Sequence, residues 1–116
     1  MKNYKTIISM MSGTSIDSID ACLLRIYDDL KFEILESYAL EYPEEIRDKL
    51  YELANNRGSV QDVCFMNFAA GNIFADAALE VLKKSALKTS DIDFISSHGQ
   101  TICHMPEKKE LGGIKT

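Results

Sequence analysis

The sequence predicts an α/β domain: an open mixed sheet that starts with a three-stranded antiparallel meander and carries two helices. Three observations point there. β-branched and alternating apolar runs fill the first forty or so residues, apolar residues then recur at helical spacing over 43–86, and a short strand-like run returns at 92–95. Strands that follow each other closely pair as neighbours, which makes the first three a meander.

The first strand is Thr6 to Met11 (T-I-I-S-M-M), rich in β-branched residues until Ser12-Gly13 ends the run. Ile19 to Tyr27 is the second. Phe32 to Tyr42 is the third, with Phe32, Ile34, Glu36, Tyr38, Leu40 and Tyr42 sharing one face. Asp28-Asp29-Leu30 supplies the turn between them.

Pro43 suits the first helical position, and Glu44 and Glu45 then face the positive end of the helix dipole. Ile46, Leu50, Leu53 and Ala54 form the apolar stripe, and Asn55-Asn56-Arg57-Gly58 stops the helix. Ser59 and Asp62 have the spacing of a capping box. They open a longer helix in which Val63, Met66, Ala70, Ile73, Ala77 and Val81 recur at helical spacing to about Ala86. Phe65, Phe68 and Phe74, with Met66, are assigned to core packing. Lys88-Thr89-Ser90-Asp91 connects to a strand at Ile92–Ile95, which ends in Ser96-Ser97-His98-Gly99-Gln100-Thr101. Residues 107–116 lose apolar periodicity.

A chain of 116 residues makes one domain or part of one, and is short for a two-lobed enzyme. Its 46% hydrophobic and 27% charged residues are ordinary for a folded globular chain. A formal net charge of -5, with basic residues scattered and densest at Lys83-Lys84 and Lys108-Lys109, argues against nucleic acid or an anionic membrane as partner. Cys22, Cys64 and Cys103 are odd in number and form no C-x-x-C pair, so neither a disulfide framework nor a zinc finger is expected. The start, Met1-Lys2-Asn3-Tyr4-Lys5, leads into too few apolar residues for a signal peptide or a membrane span. A reducing cytoplasm is the expected location.

Two segments carry chemistry. The first, Met11 to Asp20, is a hydroxyl-rich turn between strands in which Gly13 permits close approach or positive φ, so that backbone N–H groups and the Thr14 and Ser15 hydroxyls can meet a phosphate. It is not a Walker A loop, since it lacks the spaced second glycine, the Lys and a following helix. A plain hairpin turn, with Asp17 and Asp20 as turn caps, is the alternative. The same two carboxylates suit Mg²⁺, a hard cation.

The second segment is Ser96 to His104, where His98, Gln100 and Thr101 beside Gly99 offer the donors and acceptors a sugar requires. Zinc binding by His98, Cys103 and His104 lacks a fourth ligand and regular spacing. A nucleophilic pairing of Ser96 or Cys103 with a histidine lacks the G-x-S-x-G elbow.

Taken in order, Met-Ser-Gly-Thr-Ser-Ile-Asp (Met11 to Asp17) and Ser-His-Gly-Gln-Thr-Ile (Ser97 to Ile102) closely resemble the two signature segments of anhydro-N-acetylmuramic acid kinases. Tyr42-Pro43, the segment from Ala70 to Ala75, and Asp91-Ile92-Asp93 extend the resemblance over about residues 6 to 106. It implies the N-terminal lobe of an actin-like, ribonuclease H-like ATPase fold, in which two lobes close on ATP and sugar. It implies an ATP-binding segment of Gly13, Thr14, Ser15, Ile16, Asp17, Ser18, Ile19 and Asp20, with His98, Gly99, Gln100 and Thr101 near the sugar, and ATP with Mg²⁺ as cofactors. The implied reaction opens the 1,6-anhydro ring with water and transfers a phosphoryl group to O6. The product is N-acetylmuramic acid 6-phosphate, in peptidoglycan recycling.

Two departures qualify that expectation. Ser18 stands where the family usually has glycine, a strained choice if the position needs positive φ. The family's general-base aspartate, the rest of the first lobe and the second lobe have no counterpart here, and residues after Pro106 match its continuation poorly. The chain is therefore expected to be one incomplete lobe, inactive alone, with apolar surface that favours self-association. A non-catalytic nucleotide-binding or partner-association module, or a structural remnant, are the other readings.

Overall fold

The protein is described by a computed structural model over residues 3–116; Met1 and Lys2, part of the start considered above, lie outside the described residues. Alternation builds three strands, β1 (Tyr4–Ser12), β2 (Ser18–Tyr27) and β3 (Phe32–Glu41). β1 and β2 run antiparallel from Tyr4↔Tyr27 to Ser12↔Ile19, and β2 pairs β3 from Ser18↔Glu41 to Ile26↔Phe32. Leu30 takes φ 68 in the turn between β2 and β3, and its N–H is bonded to the Tyr27 carbonyl.

Two helices follow, α1 (Glu44–Ala54) and α2 (Val60–Lys83). Pro43 caps α1 instead of occupying its first turn, because its ψ of 141° is still extended. The expected capping box is present: the Ser59 side chain accepts from Asp62 N–H while the Asp62 carboxylate accepts from Ser59 N–H. The bond from Ser59 N–H to the carboxylate, ahead of the Ser59 hydroxyl and the charge of Lys49, holds the Asp62 carboxyl below its usual range.

A 3-10 turn at Thr89–Asp91 leads into β4 (Phe94–Gln100), which lies parallel to β1 and gives the sheet order β3-β2-β1-β4. The strand expected at 92–95 therefore starts two residues later and includes Ser96 to Gln100, since pairing with β1 continues to Ser12↔Gln100. The C-terminal residues, which show no apolar periodicity in the sequence, form a hairpin of β5 (Glu110–Leu111) and β6 (Ile114–Lys115). Gly112 and Gly113, at φ 57 and 80, make its turn.

One face of the sheet is the core. Thr6, Ile8, Met10 and Ser12 of β1 and Ile19, Ala21 and Leu23 of β2 are buried on it, against Leu50 of α1 and Met66, Phe74, Ala77 and Val81 of α2. The core assignment of Phe65 and Phe68 is incorrect: they are 68% and 69% exposed. At about 100° per residue, both point away from the stripe of Met66, Ile73, Ala77 and Val81. Phe94 and Ile95 of the edge strand β4 are also exposed.

Candidate functional site

Parallel pairing sets both signature segments at the C-terminal ends of adjacent strands, the end at which open α/β sheets receive ligands. After β1 the chain turns through Gly13, Thr14 and Ser15, closed by a bond from Ile16 N–H to the Gly13 carbonyl at 3.2 Å. Thr14, Ser15 and Asp17 are exposed, whereas Ile16 is 1% exposed and sits in the core.

The positive φ expected near this turn falls on Ile16, at 56°, and not on Gly13 or Ser18. A β-branched residue pays for that conformation, and the burial of its side chain offsets the cost. Ser18 opens β2 in ordinary strand backbone, so the strain anticipated for it is absent. A Cβ at Gly13 would meet only Ser15 Oγ at 3.7 Å, which leaves room on the outside of the turn and gives no backbone reason for glycine.

Two carbonyls of the turn are held from within. The Tyr51 hydroxyl of α1 donates to the Ser15 carbonyl, and Gln100 Nε2 donates to the Gly13 carbonyl at 3.1 Å. Gln100 Nε2 also donates to the Thr101 carbonyl at 3.0 Å. On its other side, Gln100 Oε1 lies 2.5 Å from Ser12 Oγ and 3.0 Å from Tyr42 Oη. Ser12 and Tyr42 are buried, and Ser12 Oγ is also 3.1 Å from the Ser18 carbonyl, so its single proton serves one acceptor at a time. Burial pushes the Tyr42 phenol up, against a smaller opposite pull from the 3.3 Å hydrogen bond that its hydroxyl donates to Ser12 Oγ.

The residues from His98 to Thr101 do not all face the same way. Ser97 pairs with Met10 and Gln100 with Ser12, so His98 and Gly99 together face Met11 in a bulge, with Gly99 at φ 73. Strand alternation sends exposed His98 to the open face of the sheet. Ser97, Gly99 and Gln100 instead line a cleft with Leu50, Met66 and Ile102 on the helix-covered side. Asp20 pairs with Met11 and is exposed, as is Asp17. Among the described residues no three His, Cys, Asp or Glu side chains gather as a metal site.

Ser12, Tyr42 and Tyr51 were not singled out as site residues by the sequence. Their partners lie 88, 58 and 36 positions away; the local signals were the place of Ser12 within the Met11–Asp17 segment and the Tyr42-Pro43 pair.

Comparison with known proteins gives a family match, described as anhydro-N-acetylmuramic acid kinase, over residues 5–115. The match includes the residues after Pro106, which were expected to fit the family's continuation poorly. A protein named anhydro-N-acetylmuramic acid kinase from Caldanaerobacter subterraneus subsp. tengcongensis is 43% identical, over 98% of this chain and 30% of its own length. Proteins of the same name from Bacillus thuringiensis subsp. konkukian and Clostridioides difficile are 36% and 37% identical, over 88% and 85% of this chain. The chain spans 28% and 27% of the length of those two relatives.

Proposed function

Because this chain belongs to the anhydro-N-acetylmuramic acid kinase family, we propose that it forms one lobe, residues 1–116, of an ATP-dependent kinase acting on 1,6-anhydro-N-acetylmuramic acid. The proposed phosphate-binding segment is Gly13, Thr14, Ser15, Ile16, Asp17, Ser18, Ile19 and Asp20. His98, Gly99 and Thr101 are proposed to lie near the sugar at the end of β4, Gly99 from the cleft side and His98 from the open face. The observation that carries this reading is the meeting of two segments 87 residues apart, through the bond from Gln100 Nε2 to the Gly13 carbonyl.

The residues fit a phosphate group. The Thr14 and Ser15 side chains are exposed on the turn, while the Gly13 and Ser15 carbonyls, which would repel an anion, are occupied by Gln100 and Tyr51. Asp17 and Asp20 are the carboxylates of the segment that would hold Mg²⁺. ATP supplies the phosphoryl group, and Mg²⁺ neutralises charge on the phosphates. The chain's own part is binding and orientation: the turn fixes the nucleotide while the end of β4 borders the sugar cleft. No candidate general base is assigned within the chain, so it is proposed to lack turnover alone.

The exposed apolar residues Phe65, Phe68, Phe94 and Ile95 favour a second role, association with another copy of the chain. Among the described residues no helix is long and apolar enough to cross a membrane. The cytoplasm, where ATP is available, is the proposed location.

Calorimetric titration with Mg-ATP, then with 1,6-anhydro-N-acetylmuramic acid, alongside an ADP-release assay, tests the reading. Saturable Mg-ATP binding without ADP release is the expected result. Turnover by the chain alone would refute the incomplete-lobe reading, and no nucleotide binding at any concentration would refute the phosphate-binding turn.

A further inference from the structure

We propose that Gln100 is a positioning residue that fixes the Gly13–Ser15 turn, and not a ligand of the sugar. A carboxamide has two acceptor lone pairs and two hydrogens to donate. Here the Oε1 of Gln100 faces the Ser12 and Tyr42 hydroxyls, and its Nε2 donates to the Gly13 and Thr101 carbonyls. Both Nε2 hydrogens have carbonyl partners and Oε1 has two hydroxyls in reach, each of which also has one other acceptor, the Ser18 carbonyl for Ser12 and Ser12 Oγ for Tyr42. Two of those partners are carbonyls, which only accept, so the nitrogen must face them and the oxygen must face the hydroxyls.

Ser12 and Tyr42 are 2% and 4% exposed, so water does not replace a bond broken on that side. A sugar hydroxyl would have to displace an existing partner to reach Gln100, and displacing the Gly13 bond would release the turn. The side chain thus joins the end of β4 to the turn after β1. Its effect on nucleotide binding rests on the phosphate reading of that turn, whereas its effect on the shape of the turn does not.

Nuclear magnetic resonance of the ¹⁵N-labelled chain tests this with wild type and Gln100→Glu. In wild type, both Nε2 hydrogens should exchange slowly and keep their shifts when 1,6-anhydro-N-acetylmuramic acid is added. Gln100→Glu keeps the acceptor but loses both donors at pH 7, so the amide resonances of Gly13 to Ile16 should move while those of α2 stay in place. As pH falls toward about 5, the introduced carboxyl regains a donor, and the turn resonances should return part of the way. A role in packing alone would not titrate.

Mg-ATP affinity of the variant should be about tenfold weaker at pH 7 and recover over the same pH range. Unmoved turn resonances in the folded variant, or wild-type Nε2 hydrogens that exchange fast and shift on addition of sugar, would overturn the proposal. Should wild type bind no Mg-ATP, the phosphate reading fails and the turn resonances still decide the role of Gln100. Should the variant unfold, the wild-type exchange and sugar titration decide it.

Discussion

Ile16 shows how one residue can be costly and necessary together. Its φ of 56° is unfavourable for a β-branched side chain, yet that backbone turns the side chain into the core, where it is 1% exposed. Ile16→Ala should cost about 2–4 kcal/mol, because the side-chain burial is lost and an L residue still occupies the left-handed position. Ile16→Gly, ordinarily worse than alanine in a core, should here be no worse, since glycine adopts positive φ freely. Chemical denaturation of both variants checks the order, and a glycine variant clearly less stable than the alanine variant would show that the conformation carries no strain.

Tyr42 permits a signed pH prediction at the same scale. Burial raises its pKa, so the folded state holds the phenolic proton more tightly than the unfolded chain. That contribution is fully present below the unfolded value of about 10 and is lost as pH rises through the folded one. Tyr42→Phe should lose about 1 kcal/mol near pH 8, with the hydroxyl bond to Gln100, and the gap to wild type should narrow above about pH 10. Thermal unfolding of both proteins across that range measures it, and a constant gap would show that the phenol does not titrate with folding.

At the scale of elements, most of the fold was legible in the sequence because its signals are local. β-branched alternation marked β1 to β3, and the S-x-x-D spacing at Ser59 marked the start of α2. Other features were not legible because they depend on pairing. β4 continues through His98-Gly99-Gln100 only because β1 lies beside it, and no residue-level preference shows that Gln100 would be internally satisfied. The misplacement of Phe65 and Phe68 is a different case, since the helical period itself sets them off the buried stripe. The Gly112-Gly113 hairpin also has a local signal in its glycine pair, at φ 57 and 80.

Gly58, between α1 and α2, is the position where backbone freedom decides an element boundary. It takes φ 112, and an added Cβ would lie 2.9 Å from Leu53 Cδ2 and 3.0 Å from Asp62 Oδ2. Gly58→Ala should therefore cost more than the roughly 1 kcal/mol of an ordinary strained turn glycine, because it also pushes on the capping box. Thermal denaturation with helical circular dichroism reads the loss, and an unchanged midpoint would show that the helix junction can relax around the methyl group.

At the scale of the whole molecule, the sheet is covered on one face by two helices, and among the described residues β3 and β4 are its two edge strands. The outward stripe of α2 is apolar at Phe65, Phe68 and Leu79, and the β4 edge presents Phe94 and Ile95. Such surface favours association, since burying apolar area contributes about 25 cal/mol per Å² before the costs of ordering. Sedimentation velocity should show wild-type mass rising with concentration, and Phe65→Ser/Phe68→Ser should shift that rise to higher concentration. Both side chains lie off the core stripe, so the double variant should keep its unfolding free energy to within about 0.5 kcal/mol per substitution. Ile95→Lys, which charges the β4 edge without touching α2, separates association by edge pairing from association by the helix face. A wild-type chain that stays monomeric at every concentration would show that the exposed aromatics do not drive pairing of copies.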